Sequence, residues 1–123
     1  MGQWLSSEEK EKKREKEHAM AKEIVDRAIA ENPVMVFSKS YCPFCTKAKR
    51  ALDNVLPREK YTVMELDTRS DCAAIQDYLL DITGGRSVPR VFVAGKFIGG
   101  GDETDAMARS GQLKQLLLDN NIL

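Results

Sequence analysis

The sequence predicts an α/β domain: a four-stranded mixed sheet flanked by helices, with an extended N-terminal helix. Three observations carry the prediction. A short continuous apolar run, Val34-Met35-Val36-Phe37, gives way at once to an amphipathic helical pattern; such runs mark strands buried on both faces. Further apolar segments at Tyr61–Asp67, Val91–Ala94 and Phe97–Ile98 alternate with helical patterns, as in sheets with helices packed on them. The chain has 123 residues, enough for one domain with a modest core.

The elements follow in order. Residues 1–33 carry seven basic and eight acidic groups, and Ser6 with Glu9 offers a capping box, so a helix starts here. Up to His18 it has almost no apolar face. From Ala19 onward Met20, Ile24, Val25, Ala28 and Ile29 form one stripe. We therefore divide the chain into a charged extension, residues 1–18, and a domain, residues 19–123, with His18 a solvated residue at the seam. Asn32-Pro33 ends the helix. Val34–Lys39 is a strand, and Pro43–Leu56 a helix with Ala48, Ala51, Leu52, Val55 and Leu56 at helical spacing, stopped by Pro57. Tyr61–Asp67 is a second strand, parallel to the first because a helix connects them. Asp71–Thr83 is a helix with Asp71 as cap and Gly84 as stop. Val91–Ala94 and Phe97–Ile98 flank a Gly95-Lys96 turn and read as a hairpin. A terminal helical region opens at Asp102 and is broken at Ser110-Gly111 before Leu113, Leu116 and Leu117 pack.

Nineteen basic and nineteen acidic residues cancel, so no nucleic-acid partner is expected. No apolar stretch approaches the roughly 18 residues of a membrane span. Three cysteines, an odd count, with no secretory signal legible, fit a reducing compartment, the cytoplasm. Met1-Gly2-Gln3-Trp4-Leu5-Ser6 matches the N-myristoylation pattern. One acyl chain binds membranes only marginally, and five glutamates between Glu8 and Glu17 cancel the basic residues that would assist. The expectation is a solvated extension, with a membrane partner only if Gly2 is acylated.

Chemistry concentrates at Cys42-Pro43-Phe44-Cys45, where the first strand meets the helix that follows it. A cysteine at the first turn of a helix faces unpaired N–H groups and the positive end of the helix dipole, and both favour the nucleophilic thiolate. Pro43 suits the first helical position. Cys45 lies one turn along the helix and can close a disulfide onto Cys42, so the motif reads as a redox switch. The alternative, half a zinc site, lacks two further ligands: only Cys72 and His18 are on offer, at the wrong spacing. No metal is expected. Residues 39–50 contain Lys39, Lys47, Lys49 and Arg50 and no acid, which lowers a thiol's pKa and attracts anions. Lys49 and Arg50 are read as a solvated helix face; Lys39, at the carboxyl end of the strand, is the functional candidate.

Two further segments stand out. Ser87-Val88-Pro89 precedes a strand, a natural place for a cis peptide bond, and leaves the Val88 backbone free to pair with an extended peptide. Gly99-Gly100-Gly101-Asp102-Glu103 lets backbone approach a ligand closely and presents a helix N-terminus to a carboxylate.

Together, Lys39-Ser40-Tyr41-Cys42-Pro43-Phe44-Cys45, Ile75-Gln76-Asp77-Tyr78-Leu79, Arg86-Ser87-Val88-Pro89-Arg90-Val91-Phe92 and Ile98-Gly99-Gly100-Gly101-Asp102-Glu103 resemble the glutaredoxin family over nearly all of residues 20–123. The resemblance implies a thioredoxin fold, a cis-Pro89 facing the dithiol, and glutathione as electron donor and co-substrate. Carried over by position, Cys42 is the nucleophile and Cys45 the resolving thiol. Lys39 and Gln76 hold the glycine carboxylate of glutathione, Tyr41 or Phe44 lines the cleft, and Val88 pairs with the cysteinyl backbone. Ser87, Pro89 and Gly101 border the same cleft. Asp102 and Glu103 take the γ-glutamyl end, and Arg86 is a further carboxylate contact. Implied partners are glutathionylated or disulfide-bonded proteins and, through glutathione, glutathione reductase; the chain is expected to act as a monomer. Phe44, Ser87, Glu103 and Gly101 stand where relatives often have tyrosine, threonine, aspartate and, in some, cysteine. Cys72 is extra and is read as a half-buried, inert thiol. The Trp-Cys-Gly-Pro-Cys of thioredoxins is absent. A second function, a homodimer bridging an iron–sulfur cluster through Cys42 and glutathione, is disfavoured because Pro43 stiffens the turn that relatives of this kind fill with glycine or serine.

Overall fold

In the computed structural model, which describes residues 4–123, the apolar run at residue 34 forms β1 (Val34–Ser38), buried along its whole length. Its side chains alternate between two cores. Val34 and Val36 face one layer with Ala48, Leu52, Leu113 and Leu117; Met35 and Phe37 face the other with Val25, Ile75 and Leu79. A strand covered on both sides has no polar face, which is why its sequence does not alternate. The sheet order is β2-β1-β3-β4. β2 (Thr62–Glu65) pairs parallel with β1, and β3 (Arg90–Val93) pairs antiparallel with β1 and with β4 (Lys96–Gly99). This is the four-stranded mixed sheet expected.

Helix α1 (Ser7–Glu31) begins in the anticipated capping box: the Glu9 N–H donates to Ser6 Oγ at 3.1 Å and the Ser6 N–H reaches back to Glu9 Oε1. It runs without a break to Glu31, and its first buried side chain is Ala21. Met20, expected in the apolar stripe, is 54% exposed. Ala21 and Val25 pack the helix onto α3 (Cys72–Thr83) and the sheet. A polar clasp fastens the same contact: Tyr78 donates to Asp26 at 2.5 Å, Lys22 bridges both, and His18 lies edge-on to the Tyr78 ring with Nε2 3.5 Å from Asp81. His18 stays exposed, as expected, while its ring rests against Tyr78. The Gly2 of the acylation pattern lies outside the described residues.

Several boundaries move, each for a local reason. Helix α2 (Pro43–Asp53) stops three residues short of Leu56, because the Val55 and Leu56 N–H groups both turn back to the Leu52 carbonyl. Asp71 sits at the N-cap of α3, but its carboxylate pairs with Arg69 at 2.8 and 3.0 Å and caps nothing. The hairpin turn falls on Ala94-Gly95, both at positive φ, one residue before the expected pair. Gly84 and Gly111 end α3 and α4 (Gly101–Ser110) in the left-handed conformation, and α5 (Gln112–Asp119) follows with Leu113 and Leu117 buried. Helices α2, α4 and α5 cover one face and α1 and α3 the other. Among the described residues no helix is long and apolar enough to cross a membrane.

Candidate active site

β1 delivers the chain to a tight turn in which the Cys42 N–H donates to the Lys39 carbonyl at 3.2 Å. Cys42 is the N-cap of α2 and Pro43 its first residue. The free N–H groups of the first helical turn therefore converge on the Cys42 sulfur. The two thiols are set apart by environment. Cys42 is half-buried; Cys45 is fully buried and accepts the Lys39 N–H at 3.3 Å. Partial burial pushes the Cys42 thiol up, but the Cys45 and Phe44 backbone N–H groups, the Cys45 thiol and the Lys39 cation outweigh it and hold it below an ordinary thiol. Burial pushes the Cys45 thiol above the ordinary value, against hydrogen bonds from the Lys39 backbone and the Ser38 hydroxyl. Ionisation is therefore easier at the outer sulfur than at the inner one.

The Val88–Pro89 peptide bond is cis. It presents the Val88 carbonyl to the dithiol, 3.7 Å from the Cys42 sulfur, which donates to it as a thiol. Beside it lies a groove of about 340 Å³ walled by Phe44, Ser87, Val88, Pro89, Arg90 and residues 100–103. Seven residues singled out in the sequence thus share one cleft: Phe44, Ser87, Val88, Pro89, Gly101, Asp102 and Glu103. A larger concavity of about 430 Å³ lies by Asn32, Lys60 and Asn121, at the opposite end of β1 from the thiols.

Lys39, Tyr41 and Gln76 lie outside the groove wall. Lys39 acts on Cys42 through its charge. Tyr41 is 71% exposed. Gln76 is buried, donates to the Arg86 carbonyl at 2.8 Å and accepts from Cys72 at 3.4 Å. The acids at α4 are engaged as well. Asp102 accepts from Lys47 at 2.7 Å, joining α4 to α2, and Glu103 accepts the Gly100 N–H at 2.8 Å as a cap of its own helix. Arg86 pairs with Asp77 at 3.1 Å. Lys49, read as solvated, is tied to Glu65 of β2 at 2.6 Å.

Two residues escaped the sequence reading. Asp67 accepts both the Ser40 N–H, at 3.1 Å, and the Ser40 hydroxyl, and so fastens the loop that carries Lys39 to Cys42. The parallel pairing of β1 and β2 was the available signal, since it brings the carboxyl ends of both strands together. Arg90 lies directly after Pro89 and holds Ser87.

Comparison with known proteins agrees with this geometry. The glutaredoxin family model matches residues 34–98. A glutaredoxin from Ricinus communis is 50% identical over 91 residues, covering 74% of this chain and 87% of that protein. The crystal structure of oxidized glutaredoxin 2 from Chlamydomonas reinhardtii superimposes with a TM-score of 0.82 at 53% identity, covering 86% of this chain and 98% of that one. A buckwheat glutaredoxin–glutathione complex gives 0.81 at 39% identity, covering 89% and 97%. The sheet and its helices form the thioredoxin fold of these structures. With its dithiol at a helix N-terminus beside a cis-proline, this chain belongs to the glutaredoxin family, whose chemistry is thiol–disulfide oxidoreduction.

Proposed function

We propose that the chain is a glutathione-dependent thiol–disulfide oxidoreductase that reduces glutathione mixed disulfides and protein disulfides. The observation that carries this reading is the Cys42 sulfur, held low in pKa at the N-terminus of α2 and 3.7 Å from the Val88 carbonyl beside an open groove. The glutathione complex of the buckwheat relative supports the choice of co-substrate.

In the proposed cycle the Cys42 thiolate attacks the glutathione sulfur of a protein mixed disulfide. The S–S bond breaks, the protein thiolate leaves and takes a proton, and Cys42 becomes glutathionylated. The thiolate of a second glutathione attacks that bond, releasing glutathione disulfide and restoring the Cys42 thiolate. Glutathione reductase and NADPH then return the disulfide to two thiols. For a protein disulfide, Cys42 forms a mixed disulfide with the target and Cys45 displaces it, losing its proton as it attacks; glutathione then reduces the Cys42–Cys45 bond.

Glutathione is a short extended peptide with a carboxylate at each end. Val88 would pair with its cysteinyl backbone, and the first N–H groups of α4 would meet the γ-glutamyl carboxylate. Asp102 would face the α-ammonium while sharing its other lone pairs with Lys47. Lys39 would meet the glycine carboxylate, with the second amide hydrogen of Gln76 and with Arg86 beside it. A monomer acting in a reducing compartment, the cytoplasm, completes the reading; the odd count of three cysteines supports that compartment.

The test is NADPH-coupled reduction of a glutathione mixed disulfide, with glutathione and glutathione reductase, for wild type, Cys42→Ser and Cys45→Ser. Loss with Cys42→Ser and survival of Cys45→Ser is the expected result. An inactive wild type sinks the reading; if that protein takes up iron and sulfide with glutathione under anaerobic conditions, the cluster-bridging dimer replaces it.

A further inference from the structure

The guanidinium of Arg90 has a role that the dithiol cycle leaves unused. Arg90 opens β3 directly after Pro89. Its Nε donates to the Ser87 carbonyl at 2.8 Å and its Nη2 to Ser87 Oγ at 3.2 Å. The group lies over the Phe97 ring, 5.0 Å from the centroid. Its route is kept open by a missing side chain: a Cβ on Gly85 would lie 1.9 Å from Nη2 and 2.7 Å from Cζ. Gly85 is not at positive φ, so clearance, and not backbone conformation, is what distinguishes glycine there.

We infer that Arg90 is the positioning residue of the groove: it clamps Ser87 and thereby fixes Val88, and Gly85 is the gap that admits the clamp. The planar fork sends two separate N–H donors to the carbonyl and hydroxyl of one residue while lying over an aromatic ring; a lysine ammonium, a single point of donors on a flexible stem, does not reproduce that geometry. Val88 is the residue whose carbonyl faces Cys42 and whose backbone would receive the substrate peptide. Loosening it weakens substrate capture while leaving the sulfur chemistry intact. The kinetic consequence rests on the glutathione reading above; the clamp itself does not.

The experiment uses the full chain as wild type, Arg90→Lys, Arg90→Ala, Gly85→Ala and the Gly85→Ala/Arg90→Ala double variant. Two quantities are read: KM and kcat for a glutathione mixed-disulfide peptide, and the Val88 backbone order parameter by NMR relaxation in the reduced protein without substrate. Arg90→Ala and Gly85→Ala should each raise KM about tenfold with kcat within about twofold, and each should lower the Val88 order parameter. Arg90→Lys should not rescue. The double variant should be no worse than Arg90→Ala, because an alanine at 85 displaces a clamp already gone. Additive losses, or a Gly85→Ala protein with wild-type order parameter and KM, overturn the inference. So does a lowered order parameter with unchanged KM. Should Arg90→Ala fail to fold, Gly85→Ala decides alone. An inactive wild type defeats the functional reading, and the Val88 order parameter still judges the clamp.

Discussion

Gly101 meets the Phe44 carbonyl so closely that a Cβ on it would lie 2.5 Å from the oxygen. The first residue of α4 is thus pressed against the first turn of α2, and the two helix N-termini that border the groove are locked together. Gly101→Ala sets two effects against each other. Alanine gains up to about 1 kcal/mol of helix propensity. The contact is with backbone, so relieving it means moving a helix, at a cost of about 1–3 kcal/mol. The clash wins: thermal denaturation should show a lower Tm, and KM for the mixed disulfide should rise. A Tm at or above wild type would contradict the argument.

The unequal thiols predict an order of reaction. Alkylation followed against pH should give Cys42 a midpoint below the ordinary 9.0 and Cys45 one above it. Stability follows with opposite signs. Folding lowers the Cys42 pKa, so its contribution is fully present above 9.0 and is lost as pH falls through the lowered folded value. Folding raises the Cys45 pKa, so Cys45 costs stability as pH rises through 9.0. Chemical denaturation of Cys42→Ser and Cys45→Ser across that range should show the wild-type difference widening for one and narrowing for the other. Equal midpoints for the two thiols would refute the asymmetry.

Asp67 should act on catalysis without touching substrate. Asp67→Ala frees Ser40 and should raise KM about threefold, through Lys39 and the turn it closes. Asp67→Asn keeps an acceptor for the Ser40 N–H and a donor for its hydroxyl, and should stay near wild type. The two hydrogen bonds from Ser40 hold the carboxyl below its ordinary 3.8. Its stabilising contribution is present above that value and fades as pH falls through the lowered one. Amide exchange at Ser40 in both variants checks this; equal exchange would mean that the loop holds itself.

Tyr61 provides an alkaline marker. Burial, then its hydrogen bond to Asp53 at 2.5 Å, pushes its hydroxyl up to about 12. The unfolded chain ionises tyrosine near 10.0, so stability falls as pH rises from there toward 12. Tyr61→Phe should flatten that limb, cost about 1 kcal/mol at neutral pH, and remove the latest step of the tyrosinate absorbance titration. Survival of that step in the variant would assign it elsewhere.

Much of the fold and site was legible because the signals are local. The capping box at Ser6, the unbroken apolar run of β1, the proline at the start of α2 and the glycines at 84 and 111 each act over a few residues. The dithiol belongs with them: spacing along one helical turn is enough to place Cys45 beside Cys42. Misplaced boundaries, the end of α2 by three residues and the hairpin turn by one, arose where the local pattern allowed more than one stopping point and the folded chain chose among them.

Side chains that reach across the fold were not legible in this way. Gln76 and Asp102 were singled out for a ligand, and the structure shows each already holding a partner, the Arg86 carbonyl and Lys47; Glu103 was singled out too, but its bond to the Gly100 N–H is a local helix cap. Asp67 on Ser40, 27 positions away, and Gly101 on Phe44 exist only once strands and helices have docked. The sequence by itself determined the order of elements, the place of the dithiol at the head of α2 and the cis-proline segment, because backbone propensity and covalent neighbours act at short range. Tertiary structure alone decided which charges remain open to a substrate and which glycines are clearances. Those outcomes depend on distances between segments that are far apart in the chain.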